Sequence, residues 1–135
     1  MNDNPADIAI DTTNLEWTDL TDGIAFKVLR LSPETGAWTV LFRCQPGASF
    51  APHLHLAAGE YFVIKGKMEY RAGSANTGGY GYEPLGVYHE QTIFPEYTEL
   101  YFTNYGPVAF VDEDRNILSV LDVRFFQDAV EKLAA

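Results

Sequence analysis

The sequence predicts an all-β domain, a small barrel or jelly roll that ends in one short C-terminal helix. Three observations predict it. The apolar runs are short, they are separated by glycine- and proline-bearing turn signals, and aromatics are abundant, with nine Phe, eight Tyr and two Trp in 135 residues. Aromatic and β-branched side chains fit a pleated, half-buried surface. Many short strands with regular turn signals indicate a sandwich or closed barrel. The length suits a single domain, and a hydrophobic content of 47% supplies its core.

Residues 1–22 are polar with scattered apolar positions and read as an N-terminal arm or edge strand. The barrel and its helix then occupy 23–135. Strand-like runs fall at 25–31, 38–44, 61–64, 68–71, 91–94, 100–105, 108–111 and 117–123. The separators are 32–36, 45–47, 65–67, the glycine-rich 73–81, 105–107 and 112–116. In the tail, Phe125, Phe126, Ala129, Val130 and Leu133 recur at helical spacing, so 122–135 reads as an amphipathic helix. No internal repeat or low-complexity segment interrupts the pattern.

A net charge of −10 with no Lys/Arg cluster argues against nucleic acid, whose phosphates demand a basic face. It argues equally against an anionic membrane surface. No apolar run approaches the length of a membrane span, and the first residues have neither the basic start nor the apolar stretch of a signal peptide. The single cysteine, Cys44, excludes an internal disulfide and is expected to be a small core hydrophobe. The expected location is a reducing cytoplasm.

The chemistry concentrates in the only three histidines, His53, His55 and His89. On a strand, His53 and His55 present both imidazoles on one face. Neutral imidazole is the commonest metal ligand and suits Fe, Zn, Cu and Ni. His89 follows Pro84-Leu85-Gly86, a tight turn that re-aims the next strand and can point the ring inward.

These blocks resemble the two motifs of the cupin superfamily: Gly47…His53-Leu54-His55…Glu60…Gly66, and Gly78…Pro84-Leu85-Gly86-Val87-Tyr88-His89. The asparagine that usually follows the second-motif histidine is Ile93 here. The resemblance implies a single-domain cupin with a metal ion in the barrel. Six residues usually lie between its glutamate ligand and the hairpin glycine, but only five lie between Glu60 and Gly66. A shift of one residue reverses the face of a strand. The ligand slot then falls on Gly59, Glu60 points out and Tyr61 points in, which favours a three-histidine site. The alternative is a bulge that restores Glu60 to the metal.

A narrower similarity runs from about residue 29 to 123. Ser32-Pro33-Glu34-Thr35, Gly59-Glu60-Tyr61-Phe62, Lys65-Gly66-Lys67-Met68-Glu69, Gly81-Tyr82-Glu83 and Tyr105-Gly106-Pro107 with Phe110-Val111-Asp112 resemble the acetylacetone-cleaving dioxygenase group. That resemblance implies Fe(II) on three histidines and a polar network of Tyr61, Arg71, Glu83 and Thr92 around them. The resemblance also points to a homotetramer and to oxidative C–C cleavage of a β-dicarbonyl by O2, while the amphipathic C-terminal helix and the prevalence of twofold interfaces make a homodimer the first expectation. Three neutral imidazoles leave the ion's charge uncompensated, which favours an anionic chelate such as an enolate. Zinc, nickel or copper suit the same ligands. A zinc-binding regulatory module, an isomerase or a flavonol-type dioxygenase are the alternatives on this fold. Phe50 and Tyr61 are expected to wall the pocket. Leu100 and Asn104 share a face and stand where the resembled group has phenylalanines. A wider pocket with a polar amide predicts a larger or more polar β-dicarbonyl than acetylacetone.

Overall fold

The computed structural model describes residues 7–134; the first six residues of the expected arm, and Ala135 of the expected helix, lie outside it. Among the described residues a short 3-10 turn, Thr12–Asn14, precedes fourteen strands and one helix. The strands are β1 (Thr18–Thr21), β2 (Ile24–Leu31), β3 (Trp38–Cys44), β4 (Ser49–Phe50), β5 (His53–His55), β6 (Gly59–Lys65) and β7 (Lys67–Tyr70). They continue as β8 (Gly73–Asn76), β9 (Tyr80–Glu83), β10 (Tyr88–His89), β11 (Thr92–Ile93), β12 (Thr98–Asn104), β13 (Val108–Val111) and β14 (Ile117–Leu121), before helix α1 (Val123–Ala134).

The strands form three antiparallel sheets. One has the order β1-β2-β3-β12-β6-β9, one β10-β5-β13-β14, and one β4-β11-β7-β8. β3 and β12 form the centre of the largest sheet, and their residues alternate between buried and half-exposed along their length. Trp38, Val40 and Phe42 from β3 meet Phe26 from β2, Tyr61 and Val63 from β6, and Leu100 and Phe102 from β12 in one core. The alternation apparent in the sequence is thus the alternation of the pleat. Cys44 is fully buried at the end of β3, and burial pushes its thiol well above the ordinary range. It is a packing residue with no thiolate character.

The glycine-rich 73–81, read as a separator, instead holds β8 and the start of β9. Both are edge strands. Tyr80 and Tyr82 of β9 face outward and are exposed, while Gly81 and Glu83 face inward. An inward face with no apolar side chain hides the usual strand signal. The hairpin between β6 and β7 turns on Gly66, whose φ of 108° suits glycine alone; a Cβ there would collide with the Tyr97 carbonyl and the Thr98 hydroxyl.

Asp122 caps α1, its carboxylate accepting from the Phe125 backbone N–H at 2.8 Å. The helix is anchored by Phe126, fully buried between Trp38 (ring centroids 4.7 Å) and Phe26 (5.0 Å). Its other face leaves Val130 and Leu133 exposed. No described helix is long and apolar enough to cross a membrane. Phe126→Ala should cost about 3–5 kcal/mol in urea unfolding, as removal of a fully buried ring does. Leu133→Ala, at an exposed position, should stay within about 0.5 kcal/mol of the parent.

Candidate metal centre

β5 is three residues long, and alternation buries His53 and His55 while Leu54 faces away. Pairing does the rest. β10 runs antiparallel to β5 with His89 directly opposite His53. On the other side of β5, β13 sets Val108 against His55 and Phe110 against His53. The Pro84-Leu85-Gly86 turn is tied to the site by its backbone: Gly86 N–H donates to the His55 carbonyl at 2.7 Å, and His55 N–H donates to the Val87 carbonyl at 3.0 Å. The three rings form a nearly equilateral triangle, with centroids 5.2, 5.0 and 5.1 Å apart. Each ring offers one nitrogen to a common centre, and these atoms lie within 4.8 Å of one another.

The hydrogen bonds around the rings leave lone pairs facing that centre. His53 Nδ1 lies 2.8 Å from the Ala51 carbonyl and donates to it, and its Nε2 faces His89 Nδ1 at 3.2 Å. Burial, reinforced by the neighbouring histidines, lowers the His53 pKa to about 4, so the ring is neutral at pH 7. Neither nitrogen of His55 has a hydrogen-bond partner although the residue is buried. Its Nε2 is 3.5 Å from a Glu83 oxygen, too long to count as a hydrogen bond. Orphaned buried nitrogens of this kind call for an ion or a water. A cavity of about 30 Å³, with His53, His55 and Glu83 in its wall, is enough for a water-sized occupant. Three converging imidazole nitrogens fit a divalent transition-metal ion.

Glu60 does not reach this centre. β6 does contain a bulge: Val63 pairs with Leu100 and Lys65 with Glu99, which leaves Ile64 extra. Even so, Gly59, Tyr61 and Val63 face inward and Glu60 faces out. Its carboxylate accepts from the Tyr80 and Tyr105 hydroxyls, each at 2.8 Å, and these bonds lower its pKa. The carboxylate that does stand beside the histidines is Glu83, on β9 directly opposite Gly59. It is buried, with an oxygen 2.9 Å from His89 Nδ1. Burial pushes the Glu83 pKa up, but the His55 and His89 rings more than offset this and hold it at about 2. Glu83 is therefore an anion, and its oxygen contacts the same His89 nitrogen that lies 3.2 Å from His53 Nε2.

The other expected site residues are placed unequally. Thr92, Phe50 and Asn104 line the cavity. Leu100 shares the inward face of β12 but is fully buried in the core and does not line the cavity. Tyr61 stands one step behind the histidines: its hydroxyl is 2.8 Å from the Tyr70 hydroxyl, and the Tyr70 ring packs edge-on to His89 at 5.2 Å. Arg71 is exposed at the β7–β8 turn and forms no ion pair with Glu83. Met68 and Tyr70 take the inward positions of β7, and alternation turns the next residue away. The sequence reading passed over Tyr70, Phe102 and Phe110. Parity from Met68 identifies Tyr70, and parity from Asn104 identifies Phe102. Phe110 becomes visible only through the β13–β5 pairing that sets it over His53, ring centroids 5.5 Å apart.

The profile of the ChrR cupin-like domain matches residues 5–109. The chain is a cupin. It is 42% identical over 103 residues to the acetylacetone-cleaving enzyme of Acinetobacter johnsonii, a match spanning 72% of this chain and 67% of that protein. It therefore belongs with that enzyme in one family. The crystal structure of an acetylacetone dioxygenase from the same organism superposes with a TM-score of 0.83 and 34% identity, covering 96% of this cupin and 93% of that chain. A Methylibium petroleiphilum PM1 structure, provisionally described as an acetylacetone dioxygenase, superposes with a TM-score of 0.89 and 36% identity, covering 96% and 97%.

Metal retention separates these residues. Ala at His53, His55 or His89 should remove most bound metal as measured by elemental analysis, whereas Glu60→Gln should keep the parent's stoichiometry.

Proposed function

We propose that this cupin is an Fe(II)-dependent dioxygenase that cleaves a C–C bond of a β-dicarbonyl bound as its enolate. The observation that carries the reading is the buried triangle of His53, His55 and His89 in a chain 42% identical to an acetylacetone-cleaving enzyme. Overall, one β-dicarbonyl and one O2 give one carboxylic acid and one 1,2-dicarbonyl, with both oxygen atoms retained in the products. Fe(II) on the three imidazoles would supply Lewis acidity toward the two substrate oxygens and the means to activate O2.

The protein's own part is to hold, orient and keep dry. His53 is neutral at pH 7 and needs no deprotonation before it binds a metal. Glu83 holds the His89 ring, and Tyr61 and Tyr70 support that ring from behind. Phe50, Phe102, Phe110, Met68, Val108 and Leu121 exclude water from the cavity. The cavity of about 30 Å³ is far below the few hundred Å³ of a usual ligand pocket, so these side chains must move outward to admit a chelating substrate. The exposed face of α1, with Val130 and Leu133, supports assembly as a homodimer or homotetramer. The single buried cysteine suits a reducing cytoplasm.

The test is reconstitution with Fe(II) under anaerobic conditions, followed by O2 uptake on a panel of β-dicarbonyls. One O2 should disappear per substrate, with a carboxylic acid and a 1,2-dicarbonyl as products, and the zinc form should consume none. A zinc-binding regulatory module would use the same histidines. Failure of the iron form to consume O2 with every β-dicarbonyl would leave that alternative standing.

A further inference from the structure

The inward row that crosses the largest sheet at the metal centre has an unusual composition. Register places Trp38 on β3, Asn104 on β12, Gly59 on β6 and Glu83 on β9 side by side. Trp38, Asn104 and Glu83 line the same cavity as His53 and His55. Gly59, buried on the inward face of β6, has no side chain. The space is taken from the neighbouring strand: a Cβ on Gly59 would lie 2.5 Å from Asn104 Oδ1. Asn104 is 2% exposed, and its Oδ1 has no hydrogen-bond partner. The adjacent donor in the row, Trp38 Nε1, is already committed to the Gly106 carbonyl at 3.0 Å.

We propose that Asn104 Oδ1 accepts a hydrogen bond from the substrate, and that the cavity is selective for β-dicarbonyls bearing an N–H or O–H donor beside a chelating oxygen, β-ketoamides being the simplest class. This rests on the enolate-binding reading above and names its substrate class. The two groups that flank the Gly59 gap, the Asn104 oxygen and the Glu83 carboxylate, are both acceptors. An apolar diketone would seal Asn104 Oδ1 in the cavity still unpaired, the costly state for a buried polar atom. An amide –NH2 in place of a terminal methyl has nearly the same size and satisfies it. Asn104 is thus a specificity-determining residue, and Gly59 is the vacancy that admits its side chain.

The test is a binding cycle on the Fe(II)-loaded protein without O2, read by isothermal titration calorimetry. Acetylacetone and acetoacetamide differ by methyl against –NH2, and Asn104→Leu removes the acceptor at similar volume. The acetoacetamide-to-acetylacetone affinity ratio should fall about tenfold in Asn104→Leu, the effect of one hydrogen bond isolated by a cycle that cancels the ligands' different acidities. Gly59→Ala retains the amide but displaces it, and should lower the ratio in the same direction. An unchanged ratio in both variants overturns the proposal while leaving the enolate reading intact. Failure of both ligands to bind the parent protein overturns both readings. If Asn104→Leu does not fold, the Gly59→Ala ratio decides alone.

Discussion

The structure depends on the pairing of one three-residue strand. β5 contributes only His53, Leu54 and His55, and it is held on both sides, by β10 and by β13. Strand alternation alone puts two imidazoles on one face. The antiparallel register with β10 then puts the third directly across from the first. A slip of one residue in either ladder would carry an imidazole out of the barrel. The two backbone hydrogen bonds from the Gly86–Val87 turn to His55 guard against that slip. The rest of the barrel encloses this junction and keeps water out of it.

Enclosure has an electrostatic consequence. Burial keeps His53 uncharged and leaves His55 without a hydrogen-bond partner, a state that an ion relieves. The balancing carboxylate comes from β9. Gly59 occupies the inward slot on β6, and its cross-strand neighbours Glu83 and Asn104 bring their polar groups to either side of it. Glu60 meanwhile is an outer-face residue held by two tyrosine hydroxyls. One residue of spacing in β6 therefore moves the anion from the strand that carries the usual ligand to the strand next to it.

The barrel and the His53–His55 pair were legible because both rest on local periodicity, and His89 because it follows the Pro84-Leu85-Gly86 turn. The runs that became β2, β3, β12 and β13 alternate plainly, and the tail repeats at helical spacing. The outward turn of Glu60 was legible from one count to Gly66. What escaped the sequence depends on pairing between distant segments. β8 and β9 are edge strands whose inward faces carry little apolar material. The place of Phe110 over His53 follows from the β13–β5 register. Leu100 and Asn104 share a face, but four residues along a strand span about 13 Å, which puts Leu100 in the core and Asn104 at the cavity. Arg71 shows the same limit: it is close to the site in sequence, but the parity of β7 and the turn carry it to the surface.

The most direct measurement is a crystal structure of the Fe(II)-loaded protein with anomalous differences recorded at the iron edge. A single peak is expected inside the barrel with one nitrogen from each of His53, His55 and His89 at about 2.0–2.2 Å, the usual imidazole–metal bond length. Glu60 should remain on the outer face against Tyr80 and Tyr105. A peak at any other place, or one that leaves any of the three histidines unbound, would contradict that expectation.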